Sequence, residues 1–292
     1  MPSRLLPLVA AELARPADPR AAAMAGALAA TYPQAARAVL FYGSCLREAN
    51  LDGLMLDFYL IVSDYPAAYG RRWLASANRL IPPNVFPLEH QGLMAKYAVL
   101  SEADFARLNS PAADNVSVWA RFAQPARLLW AADDLARQRV VAAVAQAAPT
   151  LLSLARPMTG EQDDVLALWK AGFALTYNAE LRAEKTGRSL SIVDADPDRY
   201  RRFGDAALAD GLPPSPADAP RLWRKLQRRG KRLSVLRLAK ASFTYAGGID
   251  YLAWKINRHA GTQIAIRPWQ RRWPLLGALT LLPRLFRGGA IR

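Results

Sequence analysis

The chain has 292 residues, 52% hydrophobic and 22% charged, which is enough apolar material for one large core or two modest ones and excludes a wholly disordered chain. Its net charge of +15 is concentrated: residues 221–292 hold seventeen Lys or Arg against one acid, Asp250, so the first 220 residues are nearly neutral and uniform polyanion binding is disfavoured. A single cysteine, Cys45, rules out an internal disulfide, and two distant histidines, His90 and His259, leave no ligand set for structural zinc.

Leu and Ala recur at helical spacing over 3–15 and 19–31, with breaks at Pro16 and Pro33. The first eleven residues are basic then apolar, but Glu12 and Arg15 interrupt them before a signal-peptide core develops, so they read as an amphipathic helix; an Arg- and Ala-rich mitochondrial presequence is the other reading. Residues 36–42 predict a strand running into a Gly-Ser turn, then a short loop and a second strand over 54–62. Pro66 predicts the start of a helix carrying Tyr69, Trp73, Leu74 and Leu80, closed by Pro82-Pro83. A strand is expected over 93–100, with Ser101 as the cap of a short helix to Leu108, and another short strand over 126–130. Asp133 and Asp134 can cap an Ala-rich helix ending near Leu154. The segment 156–160 reads as a domain junction, followed by helices over 161–185, 198–209 and 221–246, with a Pro-rich connector at 211–220. No apolar run reaches the roughly 18 to 20 residues that span a bilayer. The expected class is α+β: a mixed sheet flanked by helices over 1–155, a smaller mainly helical domain over 156–266, and a basic aromatic tail over 267–292.

The densest chemical signal lies in 41–62. Gly43 lets backbone approach a phosphate closely, Ser44 adds a hydroxyl and an N–H, and Asp57 is a carboxylate inside the apolar run 54–62, where an acid needs a metal, a cation or water. Nucleotidyltransferases that hold Mg²⁺ on a strand place two acids at alternate positions; here the alternates of Asp57 are Met55 and Tyr59. A second ligand would come from Asp52, Glu48 or a carboxylate distant in sequence. Lys96, inside the apolar strand 93–100, either lies at a solvent-facing edge or is held against phosphate. Arg237 and Lys240, three apart on a predicted helix, share a face that could grip a triphosphate, although nine basic residues over 221–240 also suit a solvated basic surface. Tyr177, Glu180 and Arg182 form a polar set on another helix. In the tail, Trp269, Trp273, Leu276, Leu279, Leu282 and Phe286 interleave with six arginines and no acid, the composition of a segment lying in a lipid headgroup interface.

Four segments, in order, resemble the mitochondrial-type phosphatidate cytidylyltransferases, peripheral CDP-diacylglycerol synthases of the polymerase-β-like nucleotidyltransferase superfamily. They are Phe41-Tyr42-Gly43-Ser44 with Met55-Leu56-Asp57-Phe58, then 94–101 around Lys96, 175–182 around Glu180, and 234–247, which is similar to a Ser-x-x-Arg-x-x-x-Lys-Gly-x-x-Thr-Ala-Gly block. The resemblance implies a nucleotidyltransferase domain, a winged-helix-like second domain and a membrane-binding C-terminal segment. It implies transfer of CMP from CTP to phosphatidic acid with Mg²⁺ as cofactor, at an anionic membrane surface and without nucleic acid. By position, Tyr42, Gly43, Ser44, Lys96, Arg237 and Lys240 would bind nucleotide, Asp57 and Lys96 would act in catalysis, and Asp57 with Glu180 would hold the metal. The implied location is peripheral, on the cytoplasmic face of a bacterial inner membrane or on the mitochondrial inner membrane of a eukaryote. Cys45 departs from the family's usual small glycine, and the stretch after Gly247 matches little. Two other readings are a nucleotidyltransferase with a different phosphorylated acceptor and a non-catalytic nucleic-acid-binding protein using the basic segment 221–240.

Overall fold

Among the described residues, seven helices start on a residue whose side-chain oxygen accepts a backbone N–H two or three residues on: Asp18, Asp64, Ser101, Asp133, Asp164, Asp196 and Asp218. Each such cap satisfies one orphan donor and is worth about 1 kcal/mol. The structure, a computed structural model, describes residues 2–48, 50–160, 164–179, 192–244 and 266–272. In chain order it contains α1 (Leu5–Leu13), α2 (Pro19–Ala30), β1 (Ala36–Tyr42), β2 (Met55–Val62), α3 (Tyr65–Ala68), α4 (Arg72–Leu80), β3 (Asn84–His90), β4 (Leu93–Ser101), α5 (Glu102–Asn109), α6 (Trp119–Phe122) and β5 (Ala126–Ala131). Helices α7 (Asp134–Ala145), α8 (Ala147–Ala155), α9 (Val165–Tyr177), α10 (Pro197–Asp210), α11 (Ala219–Thr244) and the short α12 (Pro268–Arg272) follow.

The expected strands are present, and they join a fifth, β3, that the sequence pattern does not predict. Its Asn-Val-Phe-Pro-Leu-Glu-His sequence carries a proline, which argues against a central strand; β3 is an edge strand, where a missing N–H is tolerated. The expected single helix from Pro66 to Leu80 is two helices, because the chain is extended at Tyr69 and turns at Gly70 before α4. The sheet order is β3-β4-β2-β1-β5, with β2 and β4 parallel and all other pairs antiparallel. This is the α+β class expected, a five-stranded mixed sheet flanked by helices, consistent with a nucleotidyltransferase-like fold.

Strand alternation sends side chains to two apolar layers. Leu40, Tyr59, Ile61, Ala98 and Leu100 face α1, α5, α7 and α8, while Val39, Phe41, Phe58, Leu60 and Val99 face α2 and the tyrosines at 65 and 69. The first layer runs without interruption into the later helices, through Trp169 and Phe173 of α9, Tyr200 and Phe203 of α10 and Trp223 of α11. Trp169 Nε1 donates to Tyr200 O and Trp223 Nε1 to Leu154 O, both at 2.9 Å, so these indoles are buried without an unpaired polar atom. Gly230 is where α11 crosses the end of α9: a Cβ there would stand 2.0 Å from Ala179 O.

The N-terminus is tied to α10 by a buried ion pair. Arg199 Nε and Nη2 donate to Glu12 Oε2 and Oε1 at 2.6 and 2.8 Å, and Nη1 donates to Ala123 O at 3.0 Å. The guanidinium also lies 4.3 Å from the centre of the Phe203 ring. Residues 134–158 are, by length and composition only, long and apolar enough to cross a bilayer, although charged residues at 134, 137, 139 and 156 keep them from being one unbroken apolar run. Most of that stretch is buried within the protein, as α7 and α8 of the core.

Candidate functional site

The site forms where β1 ends. Tyr42 is the last residue of β1 and pairs with Asp57 of β2; Asp57 in turn pairs with Lys96 of β4. In-register partners on adjacent strands project from the same face, so three polar side chains from distant parts of the sequence form one row across the sheet. Lys96 Nζ lies 3.0 Å from Asp57 Oδ1. That oxygen is shut off from solvent, whereas the two side chains as wholes retain 22% and 32% exposure for Asp57 and Lys96. Because β4 lies between β3 and β2, Lys96 is not at a sheet edge, and the edge reading of this lysine is overturned.

Gly43 follows at φ +96°, a conformation L side chains rarely adopt, and starts the 3₁₀ turn Ser44–Arg47 with Ser44 exposed. A Cβ at Gly43 would stand 3.3 Å from Asp57 Oδ2, so glycine leaves the carboxylate room as well as making the turn. Cys45 is buried, donates to Met55 O at 3.6 Å, and has its thiol pushed up by burial and then by the Asp57 charge. Behind Asp57 stands an aromatic wall: Tyr42, Tyr59 and Phe122 lie with ring centroids 5.2 to 6.1 Å apart. Burial drives the Tyr42 hydroxyl pKa up, the Asp57 charge adds to this, and the Arg121 side chain opposes it. Arg121, which also donates to Ser117 O, is a cation beside the site that no sequence pattern marked. Its only signal is an arginine within the short apolar segment Trp-Ala-Arg-Phe.

Arg237 and Lys240 are on α11 and share a face, as their spacing predicts. Their tips meet backbone carbonyls of the α4–β3 connection. Arg237 Nε donates to Pro82 O at 2.7 Å and Nη1 to Ser117 Oγ at 2.6 Å; Lys240 Nζ donates to Pro83 O at 2.9 Å and to Ile81 O. Burial, and then the Arg237 charge, push the Lys240 pKa down to about 7. Ser117 is shared by Arg237 and Arg121, and Arg121 reaches Tyr42, so a chain of contacts joins this pair of cations to the Asp57 row.

Asp57 is the one carboxylate of this row. Met55 and Tyr59 flank it, Asp52 is exposed and paired with Arg20 at 2.7 Å, and Glu48 is exposed. Glu180 and Arg182 lie outside the described residues, as do Trp273, Leu276, Leu279, Leu282 and Phe286 of the tail; Trp269 is described, in α12, and is 42% exposed. Among the described residues no group of three His, Cys, Asp or Glu could hold a metal ion. The residues present nonetheless fit Mg²⁺ in the form it usually takes beside nucleotides, one carboxylate with waters and substrate phosphates completing the octahedron. Asp57 Oδ1 is buried with the Lys96 ammonium 3.0 Å away as its counter-charge, a place a divalent cation would take on displacement of that ammonium, and the space beside Oδ2 is kept clear by Gly43. Chemically, the row can hold an anion and a divalent cation side by side at the mouth of a glycine turn. No protein-family model and no curated protein sequence matches this chain.

Proposed function

We propose that this protein transfers CMP from CTP to phosphatidic acid at a membrane surface, giving CDP-diacylglycerol and pyrophosphate. The observation that carries the reading is the Asp57–Lys96 ion pair, 3.0 Å apart beside the Gly43–Ser44 turn, because it unites two of the four segments that resemble the phosphatidate cytidylyltransferases. In this reaction a phosphatidate phosphate oxygen attacks the α-phosphorus of CTP in line. A new P–O bond forms as the bond to the β-phosphate breaks, and the electron pair leaves with pyrophosphate. A phosphomonoester dianion needs no strong general base, so the chemistry rests on positioning and charge.

Each residue then has a defined task. Asp57 is the residue that would carry Mg²⁺, whose contribution is neutralisation of triphosphate charge. Lys96, released from Asp57, turns its ammonium toward the phosphates. Gly43 and Ser44 offer backbone and hydroxyl donors at the turn, and Tyr42 closes the apolar side behind them. Arg121 adds a second fixed cation. Arg237 and Lys240 hold the 81–83 connection in this state and reach phosphate only by exchanging those carbonyls for it.

Purified protein with CTP, Mg²⁺ and phosphatidate vesicles is expected to release CDP-diacylglycerol and pyrophosphate in equal amounts, and Asp57→Ala to abolish both. Absence of turnover with any nucleoside triphosphate would sink the reading. A panel of soluble phosphomonoesters and other lipid phosphates separates phosphatidate from a different acceptor. Removal of residues 268–292 is expected to reduce sedimentation with anionic liposomes. If the protein instead binds RNA or DNA with steep salt dependence and is indifferent to Asp57→Ala, it is a nucleic-acid-binding protein.

A further inference from the structure

Helix α4 has an inner face built for the sheet and an outer face built for something else. On the inner side Ala75 and Asn78 are buried. Asn78 Nδ2 donates to Val99 O at 3.0 Å, its Oδ1 accepts from Tyr69 and from Asn84 N, and Asn84 Nδ2 donates to Leu74 O at 3.0 Å. The helix is therefore mounted rigidly on β3 and β4. On the outer side Trp73 is 46% exposed and Leu80 78% exposed. Seven residues apart, they lie two turns from each other on one side of the helix. Arg71, Arg72 and Arg79 flank them and are exposed. From residue 65 to residue 88 the sequence has these three arginines and no acid.

The connection after Leu80 is gripped by Arg237 and Lys240 of α11, which fixes the end of α4 that carries Leu80. A tryptophan and a leucine flanked by three arginines that form no ion pair among the described residues match a bilayer surface on two counts. The indole and alkyl groups enter the headgroup and upper acyl region, while guanidinium groups meet lipid phosphates. A nucleic acid would use the arginines and stack on Trp73 but would leave Leu80 in water, and an acidic protein partner needs no tryptophan at the boundary. We infer that the outer face of α4 is a docking surface for anionic lipid bilayers, separate from the basic aromatic tail. This inference rests on the membrane-surface part of the function proposed above, and it is read without any turnover.

The test uses the full chain carrying Leu80→Cys labelled with an environment-sensitive fluorophore. The unsubstituted protein, whose sole thiol Cys45 is buried, serves as the labelling blank. With vesicles of phosphatidylcholine and phosphatidylglycerol, the label is expected to shift to the blue and brighten several-fold; with phosphatidylcholine alone it should stay unchanged. Replacing Arg71, Arg72 and Arg79 together by Gln in the labelled protein should raise the lipid concentration for half-maximal shift by about tenfold or more, given the worth of each arginine near a charged surface. Circular dichroism of that variant checks that the fold is kept. A label that stays water-like while the protein sediments with the vesicles would mean that another segment makes the contact, and the inference falls. It also falls if the protein binds no vesicles, or if RNA, and not lipid, shifts the label. CDP-diacylglycerol formation from phosphatidate in detergent is scored separately, so loss of this docking surface and loss of the proposed reaction are distinguishable.

Discussion

Lys96 and Asp57 stand opposite each other in the only parallel pairing of the described sheet, with Nζ 3.0 Å from Oδ1. Register alone accounts for the meeting: a shift of one residue in either strand would turn one of the two side chains to the opposite face. The pair gives an isolated carboxylate in an apolar strand a counter-charge, and it holds that carboxylate at the Gly43 turn.

Singly, Asp57→Asn and Lys96→Met are each expected to cost about 1 kcal/mol in urea denaturation, because each leaves a part-buried charge without its partner. The double variant should cost less than the two losses added together. Nucleotide turnover should behave differently, falling on the order of a hundredfold or more in all three variants. Recovery of activity along with stability in the double variant would show that the pair is structural only.

Gly43→Ala should cost about 1–2 kcal/mol, since φ +96° is strained for alanine and the new methyl stands 3.3 Å from Asp57 Oδ2. The same methyl crowds the carboxylate, so CTP affinity in the presence of Mg²⁺ should fall as well. Calorimetric titration of the variant checks this; unchanged affinity would mean that nucleotide binds away from the turn.

Arg199→Met is expected to destabilise the protein by about 3–5 kcal/mol, because Glu12 is then left buried and unpaired between α1 and α10. Replacing both residues, as Glu12→Leu with Arg199→Met, should recover a large part of the loss. Denaturation midpoints of the three variants measure it.

Lys240 provides a pH signature. Its pKa in the folded protein is about 7 against 10.5 as its ordinary value, so between these limits the unfolded chain binds the extra proton. Stability from this group is therefore fully present above about pH 10.5, declines as pH falls, and is lost below about pH 7. Relative to Lys240→Met, the native protein should gain on the order of 1 kcal/mol per pH unit as pH rises through the window. A stability difference that is flat between pH 7 and 10 would mean that Lys240 stays charged in the fold.

Local pattern made much of the secondary structure legible. Strand β1 agrees with the predicted 36–42, Asp133 caps α7 and Ser101 caps α5 as their positions before apolar runs suggested. Strand β3 was illegible because it holds a proline and no clean alternation, and it exists through pairing with β4. Gly43, Ser44 and Asp57 could be read as a site because 15 residues contain a turn glycine, a hydroxyl and an acid in an apolar run. Arg121 could not, because nothing near it in sequence relates it to Tyr42.

What the sequence determined by itself is what short range determines: capped helices, apolar strands, a turn that requires glycine, and a charge distribution that loads the last third of the chain. The tertiary structure decided which charges meet. Parallel pairing of strands some forty residues apart brings Lys96 to Asp57, and helix α11 carries Arg237 and Lys240 to carbonyls at 81–83. The physical reason is that an ion pair or a buried ammonium depends on distance and desolvation in space, and neither is encoded in spacing along the chain.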